Sequence, residues 1–306
     1  MKTAVIIAFS YNYGNSYSND ITEHYTDQVP LPGIIIDLFL IYEFVKANKY
    51  KRIVVFTDIF SDINIDEIIN PVTKGYVNSQ IFTLIQDLKQ RNEIIFYQNI
   101  DHFNHNFKQI LSKASHLFLY YTGHAKPDHL VMPNLQNYCI MGQEPEQPKI
   151  NNTDFIELIL KNCPTDCQML MLFDCCNGSN FKLPFYLNHQ GVFHNTDINT
   201  CFYTERDIIC FVSSMQDESS HCTCEGSPFT RLVIKQLQNK QTRTWSEILF
   251  NVQDKLTHIV NNQTVCLYSS LPNLNYIWSW LNFNSNLHLY WDNNFKLLDI
   301  KVVGNI

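Results

Sequence analysis

Residues 169–179 read MLMLFDCCNGS, and the change of character within this stretch decides the fold. The first five residues are an unbroken apolar run, the length of one buried strand, which stops at Asp174, two cysteines and the turn pair Asn177-Gly178. A side chain just past such a strand end faces solvent while the strand anchors its backbone. Residues 117–121, LFLYY, form a second strand-like run, ending in Thr122-Gly123-His124. His124 and Cys176 lie 52 residues apart, each beyond the carboxyl end of a predicted strand. Neighbouring parallel strands bring such residues together above one sheet edge.

The rest of the chain repeats the alternation. Residues 4–9 read as a first strand, and 34–47 as a helix with Ile36, Phe39, Leu40, Tyr42, Phe44 and Val45 along one broad face. Residues 52–56, RIVVF, read as a second strand, and strand-helix-strand order predicts a parallel sheet. Helices are expected over 77–89, 103–114, 154–161 (with Asp154 at its start), 231–238 and 245–256, and strands over 130–132 and 207–213. Residues 93–97 fit a strand or a loop equally. Segments 10–28 and 59–75 read as loops, and 180–200, polar and rich in Asn and His, as an exposed loop between structural halves. The final segment, from 265, alternates apolar stretches with Asn-rich turns and fits extra strands or an appendage.

Composition excludes several classes. The chain has 306 residues, 45% hydrophobic and only 17% charged, enough to bury a full core. Lys plus Arg number 22 against 29 acidic residues, a net charge of −7, and no basic stripe is present to neutralise a phosphate backbone. Nucleic acid is therefore not an expected partner, and no apolar stretch is long enough to span a bilayer. The apolar core of the start, 4–9, is shorter than a signal-peptide h-region and reads as a buried strand. Ten cysteines, two of them adjacent at the proposed site, in a chain too large to need disulfides, point to a reducing, cytoplasmic location. Asn151, Asn177 and Asn262 satisfy the short glycosylation pattern, but a glycan on Asn177 would obstruct its neighbour Cys176.

Cys176 is the nucleophile candidate, because a thiolate forms at far lower pH than an alkoxide and can carry an acyl group through a covalent intermediate. His124 is the base that takes the thiol proton and returns it to the leaving amine. The backbone N–H groups of Gly123 and Cys176 are the oxyanion donors. Set against this, a cysteine picked at random is more often a buried inert side chain. A metal is not expected: His221-Cys222-Thr223-Cys224 and Cys163-x-x-x-Cys167 lack the spacing and companion ligands of a zinc site.

Several ordered segments together resemble the caspase-type cysteine peptidases of clan CD, most nearly the metacaspases. Residues 2–14, KTAVIIAFSYNYG, are similar to the first strand with its trailing tyrosine, and 31–37, LPGIIID, to the Leu-x-Gly-Cys-x-Asn-Asp segment. Tyr121-Thr122-Gly123-His124-Ala125 resembles Tyr-Ser-Gly-His-Gly, and Phe173-Asp174-Cys175-Cys176-Asn177 resembles Phe-Asp-Ser-Cys-His. Leu183-Pro184-Phe185, residues 213–218 and Ser227-Pro228-Phe229-Thr230 follow in family order. The chain departs from the pattern at Ala125, at Asn177-Gly178-Ser179, and at Ile34 and Ile36 in the pocket wall.

The resemblance implies a three-layer α/β/α sandwich around a mainly parallel sheet, with a peptidase domain over 1–275 and a C-terminal extension over 276–306. Within that domain it implies a large-subunit-like part (1–180), an exposed loop (181–206) and a small-subunit-like part (207–275). It further implies a monomeric cysteine endopeptidase acting on peptide or protein substrates with Arg or Lys at P1, received by Asp37 and Asp174 in the S1 pocket. Autocleavage falls within 180–200 or after Arg206, the only Lys or Arg between Gln190 and Asp217. No cofactor is implied. Asp58, Asp128 and Glu144 are weak candidates for calcium, so activity without added metal is the expectation. The alternative is a catalytically weak or inactive regulator that keeps the same fold for protein interaction.

Overall fold

The computed structural model describes residues 1–11, 31, 33–58, 87–88, 90–91, 93–133, 148–178, 183–187, 193–196, 205–223, 225–239, 244–278, 281, 287–291 and 297–302. Its strands are β1 (Lys2–Ala8), β2 (Arg52–Thr57), β3 (Ile94–Phe96), β4 (His116–Thr122), β5 (Ala125–Lys126), β6 (His129–Val131), β7 (Lys149–Asn151), β8 (Gln168–Asp174), β9 (Phe185–Leu187), β10 (Phe193–Asn195), β11 (Ile208–Val212), β12 (Cys266–Ser269), β13 (Leu287–Trp291) and β14 (Leu297–Val302). Its helices are α1 (Ile34–Ala47), α2 (Ile100–Leu111), α3 (Asn152–Asn162), α4 (Pro228–Leu237) and α5 (Trp245–Thr257).

One sheet carries the order β10-β9-β12-β11-β8-β4-β1-β2-β3. From β3 to β11 every neighbour is parallel, whereas β12, β9 and β10 continue the sheet antiparallel. Parallel neighbours need long crossovers, and the helices supply them. The strands are apolar on both faces because both are covered. On one face Ala4, Ile6, Phe118, Tyr120, Leu170, Leu172 and Phe211 pack with α1, α4 and α5. On the other Val5, Ile7, Leu117, Leu119, Met169, Met171 and Phe173 pack with α2 and α3. The period-two alternation of each central strand thus divides its side chains between two cores. This is a largely parallel sheet between two helical layers.

Helix ends follow local chemistry. Thr244 and Glu247 form a reciprocal capping box at the start of α5, and Ser227 caps α4 with Pro228 in its first turn. The helix expected to begin at Asp154 begins two residues earlier, because Asn151 accepts the Thr153 N–H through its side chain at 2.9 Å. Asp154 sits in the first turn, where its charge favours the helix dipole.

Segment 93–97, ambiguous by sequence, contains β3, paired parallel to β2. Segment 181–206, expected as an exposed loop, contains β9 and β10, which extend the main sheet beyond β12. Its polar composition misled because β9 and β10 are only three residues each, with Leu187 packing against the α1 side and Tyr186 against the opposite core. The 276–306 extension includes the antiparallel pair β13 and β14, a sheet of its own. The loop expected over 10–28 beyond its first two residues, the loop expected over 59–75 and most of the helix expected over 77–89 fall outside the described residues.

Candidate active site

The two strands named first by the sequence are direct neighbours. β4 and β8 pair parallel from His116↔Gln168 to Thr122↔Asp174, so His124 and Cys176 each stand two residues beyond the same rung of the ladder. Of the adjacent cysteines, Cys175 turns into the core, where burial pushes its thiol well above the ordinary range. Cys176 remains partly exposed, and its sulfur accepts the Ser220 N–H at 3.4 Å.

The turn bearing Cys176 is held from β11. The Ser213 hydroxyl accepts the Cys175 N–H at 3.1 Å, and the Ser214 hydroxyl donates to the Cys175 carbonyl at 2.9 Å. Asn177 adopts a left-handed φ of 55°, which asparagine tolerates, and its side chain accepts the Asp217 N–H at 2.9 Å. The following glycine packs against Val212, whose Cβ would lie 3.1 Å from any Cβ at position 178. Asn177-Gly178 therefore makes a tight, pinned turn.

His124 is fixed by Tyr11. The Tyr11 hydroxyl accepts the His124 N–H at 2.7 Å and donates to the Val131 carbonyl at 2.8 Å, and the two rings lie 4.5 Å apart. Tyr11 has a left-handed φ of 58°, held by the Asp58 carboxylate, which accepts the backbone N–H groups of Ser10 and Tyr11 at 2.7 Å each. Gly123 has no room for a side chain: a Cβ would stand 2.7 Å from the Tyr11 oxygen and 3.0 Å from that of Tyr121.

Asp37, at the start of α1, and Asp174, ending β8, are buried neighbours. Asp37 accepts the Ser227 N–H at 2.9 Å. Asp174 accepts the Thr230 hydroxyl at 2.5 Å and the Ser220 hydroxyl at 2.7 Å. Burial raises the Asp37 carboxyl well above its usual range, with the Asp174 charge adding to it and the Ser227 N–H and Arg231 opposing it. Burial likewise raises Asp174 against its hydroxyl donors. The exposed Cys222 has its sulfur 2.8 Å from where a Cβ on Gly33 would lie.

Ser220 belongs to a segment that crosses the site, touching Cys176 with its N–H and Asp174 with its hydroxyl. Glu218 and Gln263 tie this segment down: Glu218 accepts the Thr264 N–H and hydroxyl, both at 2.8 Å, and Gln263 accepts the His221 N–H at 3.1 Å.

Arg206 lies elsewhere. It precedes the amino end of β11, while His124 and Cys176 follow the carboxyl ends of the parallel strands. Its guanidinium donates to the Pro164 and Cys163 carbonyls at 3.0 and 2.9 Å. Cleavage after Arg206 by the same molecule therefore requires this segment to leave its place. Of the calcium candidates, Asp58 is engaged by the turn after β1, Asp128 meets His129 at 2.6 Å, and Glu144 lies outside the described residues. Among the described residues no cluster of three metal-ligating side chains occurs.

Solved structures match this chain at low identity. Caspase-1 from Spodoptera frugiperda is 13% identical over 89% of this chain and 88% of its own, with a TM-score of 0.49. A structure described as pro-sf-caspase-1 is 14% identical over 89% of this chain and 88% of its own, with a TM-score of 0.47. Protein GSU0716 from Geobacter sulfurreducens is 10% identical over 92% of this chain and 98% of its own, with a TM-score of 0.48. No protein-family model matches the chain, and neither does any curated protein.

Sequence reasoning singled out His124, Cys176, Gly123, Asp37 and Asp174 but not the groups that hold them. Tyr11, Ser220, Thr230 and Gln263 come from other parts of the chain; Tyr11 and Thr230 fall within quoted segments, and Ser220 and Gln263 carried no signal of their own. Among the described residues no helix is long and apolar enough to cross a membrane.

Proposed function

We propose that this chain is a cysteine endopeptidase that cleaves after Arg or Lys through Cys176 and His124. The observation that carries the reading is the in-register β4–β8 pairing, which sets a partly exposed thiol and an imidazole-bearing residue at equivalent places on adjacent strand ends. In this reading the Cys176 sulfur attacks the scissile carbonyl, and His124 takes its proton and delivers it to the departing amine. The amides of Gly123 and Cys176 then receive the developing oxyanion. Water subsequently releases the acyl group. Asp37 and Asp174 receive the basic side chain, exchanging the Ser227, Thr230 and Ser220 donors for a guanidinium or ammonium.

The engagement of both carboxylates by the chain's own donors favours a second reading, a regulator that keeps the fold without turnover. Hydrolysis of matched peptides bearing Arg, Lys, Asp or Leu at P1, with and without calcium and with Cys176→Ala as control, separates the two. Cleavage after Arg or Lys, lost in Cys176→Ala and weakened in Asp37→Asn, supports the peptidase. Cleavage after Asp or Leu retains the nucleophile and removes the role of the acidic pair. Folded, reduced protein that neither cleaves nor takes up a thiol-directed peptide probe supports the regulator.

A further inference from the structure

Gln263, shortly before β12, is a buried amide whose side chain is spent on the segment over Cys176. It is 3% exposed. Its Nε2 donates to the Ser213 carbonyl at 3.0 Å and to the Ser220 hydroxyl at 3.4 Å, and its Oε1 accepts the His221 N–H at 3.1 Å. These bonds fix the amide's orientation, because a flipped amide would set its oxygen against the Ser213 carbonyl. Gln253 of α5, itself buried, holds the backbone around it: its Nε2 donates to the Gln263 carbonyl at 3.2 Å, and its Oε1 accepts the Val265 N–H at 2.6 Å.

The hydrogen count gives this network a direction. Ser220 has one hydroxyl proton, and the Asp174 carboxylate takes it at 2.7 Å. The other contacts of that oxygen, with the Ser213 hydroxyl at 2.9 Å and with Gln263, must therefore be donated to it. Ser220 is thus held from two sides with its hydroxyl aimed at Asp174, and the same placement sets its backbone N–H 3.4 Å from the Cys176 sulfur.

We propose that Gln263 is a positioning residue for the nucleophile, acting through Ser220 to keep that N–H on the Cys176 sulfur. The inference rests on the reading of Cys176 as the nucleophile. An N–H aimed at sulfur favours the thiolate over the thiol, because a donor gains more from a charged acceptor. Filling the space would need only an apolar side chain of the same size, whereas a buried amide carries a desolvation cost that its bonds offset.

The test measures alkylation of Cys176 by iodoacetamide across a pH series in the full reduced chain. Cleavage before Asp174 and Asp197 isolates the label in peptide 174–196, and Cys176→Ala subtracts any contribution of Cys175. Gln263→Met keeps the length of the side chain and removes the amide. Its alkylation profile is expected to move to higher pH, several-fold slower near neutrality and converging with the parent in alkali. The ionisable groups around the site are His124 and Tyr121 from the β4 side, Cys175 and Asp174 from β8, Asp37 of α1, Arg231 of α4, and Asp217, Glu218 and His221 of the covering segment. All are present in both proteins, so the displacement reports the Ser220 N–H. Gln253→Leu, which loosens Gln263 without altering it, moves the profile the same way by a smaller amount. Phe107→Leu, a core change in α2, leaves the profile in place. A circular dichroism spectrum matching the parent ensures that each variant is read in the folded state. A parent-like profile in either folded glutamine variant, or an equal displacement in Phe107→Leu, overturns the proposal. Peptide turnover enters none of these readings, so failure of the peptidase reading and failure of this one are told apart.

Discussion

The phenolic oxygen of Tyr11 lies 2.7 Å from the backbone nitrogen of His124 and 2.8 Å from the carbonyl oxygen of Val131. One hydroxyl thus joins the end of β1 to the segment after β4 on both sides of the hairpin that carries the histidine. The ring of Tyr11, 4.5 Å from the imidazole, limits where that side chain can turn. Asp58 locks Tyr11 in turn, so the position of His124 depends on a carboxylate from the end of β2.

Tyr11→Phe keeps the ring and removes the hydroxyl. It removes the acceptor of the part-buried His124 N–H and leaves the Val131 carbonyl its longer bond from the Tyr121 hydroxyl at 3.4 Å, at a cost of about 1–3 kcal/mol in stability. Under the proposed function kcat falls with little change in KM, because the substrate pocket is untouched and the base is loosened. Urea denaturation and steady-state kinetics on an Arg peptide measure the two effects, and an unchanged kcat rejects the positioning role.

Asp37 makes stability depend on pH. Its carboxyl is raised from the ordinary value of 3.8, first by burial and then by the Asp174 charge, so the folded chain holds that proton more tightly than the unfolded chain. Its contribution is therefore full below the ordinary value and is lost as pH climbs through the raised one. Asp37→Asn can still accept the Ser227 N–H but carries no charge. The variant is expected to be more stable than the parent near neutrality, with the difference closing in acid. Denaturation curves at several pH values measure this, and a constant difference would reject it.

Gly226→Ala tests the same corner from the other side. Gly226 has φ of 92°, and a Cβ there would stand 2.6 Å from the Asp37 carboxylate oxygen. Backbone strain alone costs about 1–3 kcal/mol, and the carboxylate must also shift from the Ser227 N–H. Loss of stability together with weaker turnover of Arg peptides is the expected pair of results.

Phe107 occupies the core on the α2 side, with ring centroids 5.1 Å from Phe103, 5.6 Å from Phe155 and 6.0 Å from Phe56. Phe107→Ala is expected to cost about 3–5 kcal/mol by lost burial and a residual cavity. Thermal unfolding measures it. A loss below 1 kcal/mol would mean that the neighbouring rings collapse into the space.

The central strands and α1, α4 and α5 are legible in the sequence because their information is local. Runs such as LFLYY and MLMLF can be buried on both faces only inside a covered parallel sheet, and Ser227-Pro228 and Thr244 announce helix starts by their own side chains. The places of His124 and Cys176 follow in the same way, each being a polar residue directly after such a run. β9 and β10 were hidden because three-residue strands carry no periodic signal long enough to stand out from Asn-rich turns.

What the order of residues could not contain is which distant groups satisfy the buried polar ones. Asp37 and Asp174 read as an open acidic pair, yet a buried carboxylate must find donors. Tertiary packing supplies them from Ser227, Thr230 and Ser220, residues up to 190 positions away. Tyr11 became the support of His124 for the same reason. Sequence by itself determined the central strands, the parallel sheet and the two residues at its edge, because hydrophobic periodicity is written along the chain. Only the tertiary structure decided their partners, because hydrogen bonds and electrostatics act across space between segments that the chain keeps far apart.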